Sequence, residues 1–157
     1  MVEPLFIIDD LSPAETVVLS GEEAKHASSV RRMRVGEAIA VTNGRGLKLR
    51  GTVSEVEKNS ISIQVAEVIK EDEPAVRFTL IQALAKGDRD ELAIQAATEL
   101  GVWEVIPWIS ARSVSVWEGK KLETGKARWQ QIVREAAKQS LRSFIPEVGQ
   151  ALSSKQV

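Results

Sequence analysis

The sequence predicts an all-β domain followed by an α/β domain. Up to about residue 70, short apolar runs alternate with turn residues, whereas after Pro74 the pattern becomes strand, helix, strand and longer helix. Between the two patterns lies Lys70-Glu71-Asp72-Glu73-Pro74, a charged stretch ending in proline that is typical of a linker. The predicted domains are therefore residues 1–73 and 74–157.

The first domain is predicted to be a compact, mostly antiparallel barrel. Its strands are expected at 5–8, 16–19, 38–42, 47–56 and around 61–65, where apolar and polar residues alternate. Ser20 and Glu23 have the spacing of a capping box, which predicts a short helix from Gly21 to before Val35. Asn43-Gly44 indicates a tight hairpin turn between two of the strands.

The second domain begins with a predicted parallel strand–helix–strand unit. Phe78 to Leu84 is a nearly continuous apolar run, as expected for a strand covered on both faces. Asp88 is a plausible N-cap and Gly101 a plausible left-handed C-cap of the helix between them. Trp103 to Trp108 is the next strand. The apolar residues of the helix recur every fourth position on one face, at Leu92, Ala96 and Leu100.

A longer helix is predicted from about Lys126 to Arg142. Its apolar positions follow helical spacing, at Trp129, Ile132, Val133, Ala136, Ala137, Ser140 and Leu141. The other side presents Arg134, Lys138 and Arg142 at four-residue spacing. This basic ridge is either a phosphate-contacting surface or a solvated face on which Glu135 pairs weakly with Lys138.

The predicted α/β domain is unfinished. Two strands and two helices leave strand edges unpaired, and the tail 152–157 shows no closing strand or capping helix. We therefore expect the chain to be a fragment, or to be completed by further residues or by a partner.

Composition excludes several classes of function. The 157 residues carry 21 basic and 22 acidic side chains, a net charge of −1, one histidine and no cysteine. Disulfide scaffolds, thiolate metal sites and cysteine nucleophiles are excluded, and no metal site is expected. No basic leader precedes an apolar stretch, and no apolar run approaches the roughly 18 residues needed to cross a bilayer. We expect a cytoplasmic location and no membrane partner.

Basic residues are concentrated between Lys25 and Arg50 although the first domain is acidic. This stretch holds seven cations against one acid, Glu37, while residues 1–74 together carry 9 basic and 13 acidic side chains. A local cationic face is what phosphate binding requires. A solvated charged surface is the other interpretation. The cations are Lys25, Arg31, Arg32, Arg34, Arg45, Lys48 and Arg50.

No familiar catalytic motif is present. The sequence has neither a Walker loop nor Gly-x-Gly-x-x-Gly after a strand, and a lone His26 among polar residues is more often a surface group than a general base. Lys86, Arg89 and Arg112 follow the two predicted parallel strands, at the edge where open α/β sheets bind ligands. Glu99, near a helix end, is retained as a candidate beside the alternative of an ordinary surface acid. No catalytic residue is assigned.

The ordered motifs of nearly the whole chain resemble the bacterial small-subunit ribosomal RNA uridine N3-methyltransferases. In the second domain the similarity lies in Gln82-Ala83-Leu84-Ala85-Lys86-Gly87-Asp88-Arg89, Ala97-Thr98-Glu99-Leu100-Gly101, Pro107, Arg112-Ser113, Arg128-Trp129, Glu135-Ala136-Ala137, Gln139-Ser140, Arg142 and Pro146-Glu147-Val148. In the first domain it lies in His26, Val30, Arg32 and Val35-Gly36.

This resemblance implies an N-terminal PUA-like β-barrel that binds RNA and the first part of a SPOUT α/β methyltransferase domain with a trefoil knot. It implies a homodimer, S-adenosylmethionine as methyl donor, and N3 of a uridine in 16S ribosomal RNA of the small subunit as target. The implied RNA-binding residues are Lys25, His26, Arg31, Arg32, Arg34 and Arg45. The candidates for the active-site rim or RNA contacts are Lys86, Arg89, Glu99, Arg112, Glu135, Gln139 and Arg142.

The sequence departs from the family's pattern in four places. Pro4-Leu5-Phe6 stands where the family has an arginine, and Asn43-Gly44 where it has Asp-Gly. The Gly-Pro-Glu-Gly-Gly loop and the Leu-Arg-x-Glu-Thr-Ala stretch, which form the knot and donor pocket, are absent. No donor-binding residue is assigned, and the 157 residues alone are expected to be inactive. The alternatives are a non-catalytic RNA-binding module and a small-ligand-binding α/β protein whose cations serve solubility.

Overall fold

The computed structural model describes residues 3–157, which divide into one compact unit up to Glu73 and another from Pro74 onward. The first unit contains a single five-stranded sheet with strand order β1-β3-β4-β5-β2. The strands are β1 (Leu5–Ile7), β2 (Thr16–Ser20), β3 (Ala38–Thr42), β4 (Leu47–Val56) and β5 (Ser60–Lys70). Neighbouring strands are antiparallel, except that β1 and β3 are parallel.

Alternating burial along these strands builds the core of the first unit. Leu49 and Val53 of β4 face Ile61 and Ile63 of β5, and all four are essentially inaccessible to water. The strands thus lie where alternation places them, but β5 continues to Lys70, which the linker prediction had assigned to the linker. Closure into a barrel stays a prediction.

A short helical segment follows β2. The helix α1 (Gly21–Lys25) begins at the predicted residue, and the chain then continues as one π-helical turn, His26–Val30. The predicted capping box is wrong, because the Ser20 side chain makes no cap hydrogen bond, although its backbone has the extended angles usual for an N-cap residue. Burial of Ala24 and Ala27 holds the segment against the sheet instead.

The predicted hairpin between β3 and β4 is confirmed. The connection between β3 and β4 spans residues 43–46, and the Asn43 side-chain oxygen accepts bonds from the backbone N–H groups of Arg45 and Leu47. Gly44 and Gly46 both have positive φ, at 71° and 92°, so the turn consumes two glycines rather than one. An asparagine that bonds the backbone ahead of it favours this wider turn.

The second unit contains a parallel sheet with β7 at its centre. Its strands are β6 (Thr79–Ala83), β7 (Glu104–Ile109), β8 (Glu147–Val148) and β9 (Leu152–Ser153). On one edge β7 pairs with β6, and on the other edge it pairs with β8 and then β9. The expectation that the tail 152–157 holds no closing strand is therefore wrong, because β9 lies in it and pairs with β7. The prediction that β6 is covered on both faces is also wrong, because the Ile81 side chain is 41% exposed.

The helix α2 (Arg89–Leu100) connects β6 to β7 and ends at Gly101, which has a φ of 107° as predicted. Asp88 occupies the N-cap position but makes no side-chain cap bond. The predicted apolar face is exposed, and Ile94 and Thr98 are buried instead. The Thr98 hydroxyl donates to the Ile94 carbonyl oxygen (2.7 Å), which satisfies this polar group inside the core.

The helix α3 (Lys120–Gln139) begins six residues before the predicted start. Trp129 and Val133 lie in the core, as the spacing indicates. The predicted basic ridge is not an exposed surface, because Lys138 is only 6% exposed and its ammonium group lies 3.2 Å from a Glu135 carboxylate oxygen. Within residues 3–157 neither this helix nor any other is long and apolar enough to cross a membrane.

Candidate functional site

Three unpaired arginines follow the π-helical turn. Residues 30–35, called here the cationic loop, contain Arg31, Arg32 and Arg34, all exposed. Among residues 3–157 no carboxylate forms an ion pair with any of the three guanidinium groups. The flanking Val30 and Val35 are 71% and 63% exposed. The loop thus combines uncompensated positive charge with apolar surface, the combination that suits phosphates and unstacked bases.

The backbone of the cationic loop is fixed. The N–H of Arg31 donates to His26, the N–H of Met33 donates to Ala27, and the Arg34 N–H donates to the Glu37 carboxylate, all at 3.0 Å. Met33 is buried and anchors the loop to the core. Arg32 adopts a φ of 53°, a conformation that costs a non-glycine residue roughly 1–2 kcal/mol. The loop therefore holds a strained arginine in a defined position.

The remaining RNA-binding candidates already have partners. The Lys25 ammonium group lies 2.7 Å from a Glu22 carboxylate oxygen, and an Arg45 Nη donates to the Asp9 carbonyl oxygen at 2.7 Å. The half-buried His26 ring packs edge-on against the Phe6 ring at a centroid distance of 5.8 Å. These contacts place His26 in a packing role. Within residues 3–157 the three loop arginines and Arg45, whose bond to a carbonyl oxygen leaves its charge in place, have no ion pair.

The other cations of the Lys25–Arg50 run are neutralised. Lys48 lies 3.5 Å from Glu71, and Arg50 is bonded to both Glu3 and Glu67. The hydrogen bond from Arg50 lowers the pKa of the Glu3 carboxyl, and the same bond raises the pKa of Arg50. Within residues 3–157 the cation-rich run thus divides into residues paired with acids, namely Lys25, Lys48 and Arg50, and residues without an ion pair, namely Arg45 and the three arginines of the cationic loop.

A second candidate site lies at the carboxyl ends of β6 and β7. Lys86 and Arg112 stand three residues beyond the ends of these strands, and both are exposed, as is Arg89 at the start of α2. The loops that carry them are tied together, because the Ser113 hydroxyl donates to the Leu84 carbonyl oxygen at 2.9 Å. The structure therefore brings the two loops together as the parallel-strand argument predicts.

Between these loops and the first turns of α3 is an open cleft of about 910 Å³. Its wall includes Trp117, whose ring packs edge-on against Trp129 at 5.3 Å. A Cβ on Gly125 would lie only 2.4 Å from the Trp117 ring, so the glycine permits this packing within a helix. Half of the residues that line the cleft lie on α2 and α3, and the other half lie on the loops that precede these helices.

The charges that line the cleft balance each other. Asp90 is buried, and its carboxylate accepts from the backbone N–H groups of Ala85 (3.3 Å) and Glu91 (2.9 Å). Glu91 in turn pairs with Arg128 at 2.9 Å, which raises the Arg128 pKa. Three acids and three bases line the cleft: Asp90, Glu91, Glu118, Lys120, Lys121 and Arg128. Exposed beside it are the predicted rim cations Lys86, Arg89 and Arg112, together with the acid Asp88.

Sequence reasoning missed the segment 114–121 of this cleft. Trp117, Lys120 and Lys121 all line it, but they fall between a predicted strand and a helix that was predicted to begin later. The available signal was Gly125, because a glycine inside a helical pattern often marks close approach of another group.

The other predicted rim residues are not at this edge. The helix α2 runs about 18 Å from the carboxyl ends of the strands toward their amino ends, which places Glu99 at the far end, hydrogen-bonded to Gln95 at 3.0 Å. Arg142 donates to the Thr98 carbonyl oxygen at 2.8 Å, also at that end. Glu135 and Gln139 line a groove of about 240 Å³ between α2 and α3. The predicted rim thus splits into two groups.

Two family models match the chain. One, described as an RNA methyltransferase domain, matches residues 71–157, and one described as an RNA methyltransferase PUA domain matches residues 19–66. A protein of Mycobacterium bovis named ribosomal RNA small subunit methyltransferase E is 39% identical in an alignment that covers 98% of this chain and 59% of that protein. The Bacillus subtilis protein of the same name is 34% identical, over 94% of this chain and 58% of its own length.

Solved structures resemble the chain throughout. A ribosomal RNA small subunit methyltransferase E from Neisseria gonorrhoeae bound to S-adenosyl methionine superposes with a TM-score of 0.84 at 30% identity, over 97% of this chain and 63% of that one. A putative methyltransferase from Legionella pneumophila with bound SAM also gives 0.84, at 26% identity, over 98% of this chain and 64% of its own. The chain spans about three-fifths of the length of these relatives.

Proposed function

The chain belongs to the RNA methyltransferase family whose curated members are named ribosomal RNA small subunit methyltransferase E, and on that premise we propose that it serves S-adenosylmethionine-dependent methylation of N3 of a uridine in 16S ribosomal RNA. It combines a PUA domain with a SPOUT-type methyltransferase domain of mixed α/β fold. We assign residues 1–73 to an RNA-binding PUA-like barrel and residues 74–157 to the first part of a knotted methyltransferase domain. The small ribosomal subunit is the proposed substrate, in the cytoplasm, and a homodimer the proposed assembly.

The cationic loop is the observation that carries the RNA-binding part of this proposal. Arg31, Arg32 and Arg34 are free of acids on a unit whose acids outnumber its bases. An arginine paired with a carboxylate must break that pair to bind phosphate, whereas these three need not. They are the primary RNA contacts in our proposal, and Lys25, His26 and Arg45 are secondary because each is engaged within the protein.

The cleft at the sheet edge is the proposed place of the target nucleotide. Uridine N3 must lose its proton before it can attack a methyl group, so positive charge that favours the anionic base accelerates transfer. Lys86, Arg89 and Arg112 supply that charge at the rim. A base extruded from its stack would enter between the two loops, which the Ser113–Leu84 bond holds at a fixed separation. The remaining candidates, Glu99, Glu135, Gln139 and Arg142, are proposed as contacts away from the cleft.

The described residues do not form a pocket that fits S-adenosylmethionine. Recognition of its adenine requires buried polar groups aimed at the ligand. The buried polar group of the cleft, Asp90, already accepts bonds from two backbone N–H groups of its own loop and helix. We therefore assign no donor-binding residue within residues 3–157.

A chimeric enzyme tests the proposed function. Residues 1–157 replace the matching part of the Mycobacterium bovis relative, and the chimera is incubated with tritiated donor and small ribosomal subunits that lack the modification. We expect tritium in 16S ribosomal RNA and a reverse-transcription stop at one uridine, because a methyl group on N3 blocks base pairing. Replacing Arg31, Arg32 and Arg34 with alanine should raise KM for the subunit more than it lowers kcat. Binding without methylation would favour the non-catalytic module instead.

A further inference from the structure

The loop that carries Arg112 is a closed turn directly after β7. The N–H of Ser113 donates to the Ser110 carbonyl oxygen at 3.0 Å, which places Ala111 and Arg112 at the two central positions of the turn. Arg112 itself is exposed beside the cleft. The place of its guanidinium group therefore depends on what holds this turn.

Both ends of the turn are anchored to the parallel sheet. Its first residue, Ser110, continues from β7. At the other end the Ser113 hydroxyl donates to the Leu84 carbonyl oxygen at 2.9 Å, and the Leu84 N–H in turn donates to the Trp108 carbonyl oxygen at 3.0 Å. A turn that is held only at its two ends can still rotate about the line that joins them. A third point of attachment is needed to fix its central residues.

Ser154 supplies this third point. Its hydroxyl oxygen accepts from the backbone N–H of Ala111 at 2.9 Å and from the indole N–H of Trp108 at 3.2 Å. A serine oxygen has two lone pairs, so the two bonds use both of its acceptor positions. Ser154 directly follows β9, which pairs with the last two residues of β7. The tail 152–157 thus presents a hydroxyl group to the middle of the turn, next to Arg112.

The neighbouring serine of the tail makes different contacts. The Ser153 hydroxyl donates to the side-chain oxygen of Gln156 at 2.7 Å, and the Ser153 N–H donates to the same oxygen at 2.9 Å. These bonds close the tail on itself. The two adjacent serines therefore form a matched pair for experiment, one bonded to the turn and one bonded within the tail.

We propose that Ser154 is a positioning residue for methyl transfer, because its hydroxyl group fixes the turn that places Arg112 beside the target uridine. This inference rests on the proposed function for the role of Arg112, and it adds the residue through which the tail acts on that role. Displacing a catalytic group by about 1 Å costs up to roughly 100-fold in rate. Ser154 is exposed, so water can replace part of its contact and the expected loss is smaller.

Nuclear magnetic resonance of residues 1–157 tests whether Ser154 holds the turn. In Ser154→Ala we expect the indole N–H resonance of Trp108 and the amide resonance of Ala111 to move, because each loses its acceptor. The heteronuclear Overhauser effect of the Arg112 amide should fall, because the turn gains freedom to rotate. This measurement requires neither RNA nor a methyl donor.

Two matched variants control the spectra. Ser154→Thr keeps the hydroxyl group and should preserve the mobility of the Arg112 amide. Ser153→Ala removes a hydroxyl group that bonds within the tail and should leave the turn as it is. The indole resonance of Trp129, which is buried in the core of the second unit, reports whether each variant remains folded.

The chimeric enzyme tests the effect on the reaction. Ser154→Ala should lower kcat about tenfold and leave KM for the small subunit within about twofold, because the turn orients a group that acts on the reacting base. The loss should shrink as the pH rises, since uridine N3 then loses its proton with less help from a cation. In an Arg112→Ala background the serine substitution should change kcat by less than about twofold, because Ser154 acts through Arg112.

Several outcomes would overturn the proposal. Unchanged Trp108 and Ala111 resonances in Ser154→Ala would show that the contact does not form, and an unchanged Arg112 amide would show that the contact does not hold the turn. An equal loss of kcat in Ser153→Ala, or a full loss in the Arg112→Ala background, would exclude action through Arg112. A parent chimera that does not methylate would count against the proposed function, whereas the spectra still decide whether Ser154 holds the turn.

Discussion

Replacing Arg31, Arg32 and Arg34 together with alanine should remove most of the salt-dependent RNA binding while leaving the fold intact. The three guanidinium groups have no ion pairs within residues 3–157 and their side chains are exposed, so their removal breaks no buried contact. The backbone bonds that hold the cationic loop do not involve these side chains. We therefore expect the free energy of unfolding, measured by urea titration, to change by less than about 0.5 kcal/mol.

The size of the binding effect follows from counterion release. Each phosphate neutralised on single-stranded RNA contributes about 0.7 to the slope of log affinity against log salt, so three free arginines contribute about 2. Between 50 and 200 mM salt this part of the slope alone lowers affinity by roughly 20-fold. The triple variant should show a slope smaller by about 2.

Fluorescence anisotropy with a labelled 16S ribosomal RNA fragment, titrated at four or more salt concentrations, measures both slopes. The matched control replaces Lys48, Lys58 and Lys70 with alanine, which removes the same charge from the same unit. If the number of positive charges alone governs binding, the slope of log affinity against log salt falls by the same amount in both triple variants. That result would refute the assignment of the cationic loop. A control variant that keeps the wild-type slope supports it.

Four further substitutions test the structure. Arg32→Gly removes the strain of a positive φ, so it should stabilise the protein by about 0.5–1 kcal/mol in urea unfolding and weaken RNA binding. The control Arg31→Gly, at a residue with a φ of −82°, should destabilise the protein. Gly51→Ala would place a Cβ 2.1 Å from a backbone oxygen of β5 and should lower the free energy of unfolding by roughly 1–3 kcal/mol in the same assay. An unchanged stability would show that the backbone relaxes at the register shift between β4 and β5 beside Gly51. The lowered pKa of Glu3 contributes stability above the unfolded pKa that is lost as the pH falls through the folded pKa. Arg50→Met should remove that acid dependence, and an NMR titration of the Glu3 carboxyl that does not change would contradict the pairing.

The strands of the first domain could be predicted because their side chains alternate between core and solvent. Ile61 and Ile63 are buried on β5 as the pattern requires. The hairpin between β3 and β4 could also be predicted from Asn43-Gly44, but not the two bonds that the Asn43 side chain accepts from the N–H groups of Arg45 and Leu47.

The pairing of Glu135 with Lys138 was one of the two interpretations of the α3 ridge, and the structure contains it. The burial of Lys138 and the orientation of α2 could not be predicted, for a common physical reason. Thr98 is buried because its hydroxyl finds a carbonyl oxygen within the helix, and Lys138 is buried beside its partner Glu135. Polar residues that satisfy themselves locally can occupy core positions, which leaves Leu92 and Leu100 outside.

The candidate sites were predicted in part. The concentration of cations in residues 25–50 was visible in the sequence, but which of them are free depends on acids distant in the chain, such as Glu3 and Glu67 for Arg50. Likewise, the predicted strand ends placed Lys86 and Arg112 at the carboxyl edge of the parallel sheet. The wall of the cleft around Trp117 could not be predicted, because it depends on the packing of this ring over Gly125.

The most direct test of the central claim is the equilibrium affinity of residues 1–157 for small and for large ribosomal subunits, measured side by side at 100 mM salt. The account predicts saturable binding to the small subunit at least about tenfold tighter than to the large one, displaced by the full-length Bacillus subtilis relative. Equal affinity for both subunits would show a non-specific polyanion contact and would contradict a role in small-subunit ribosomal RNA methylation.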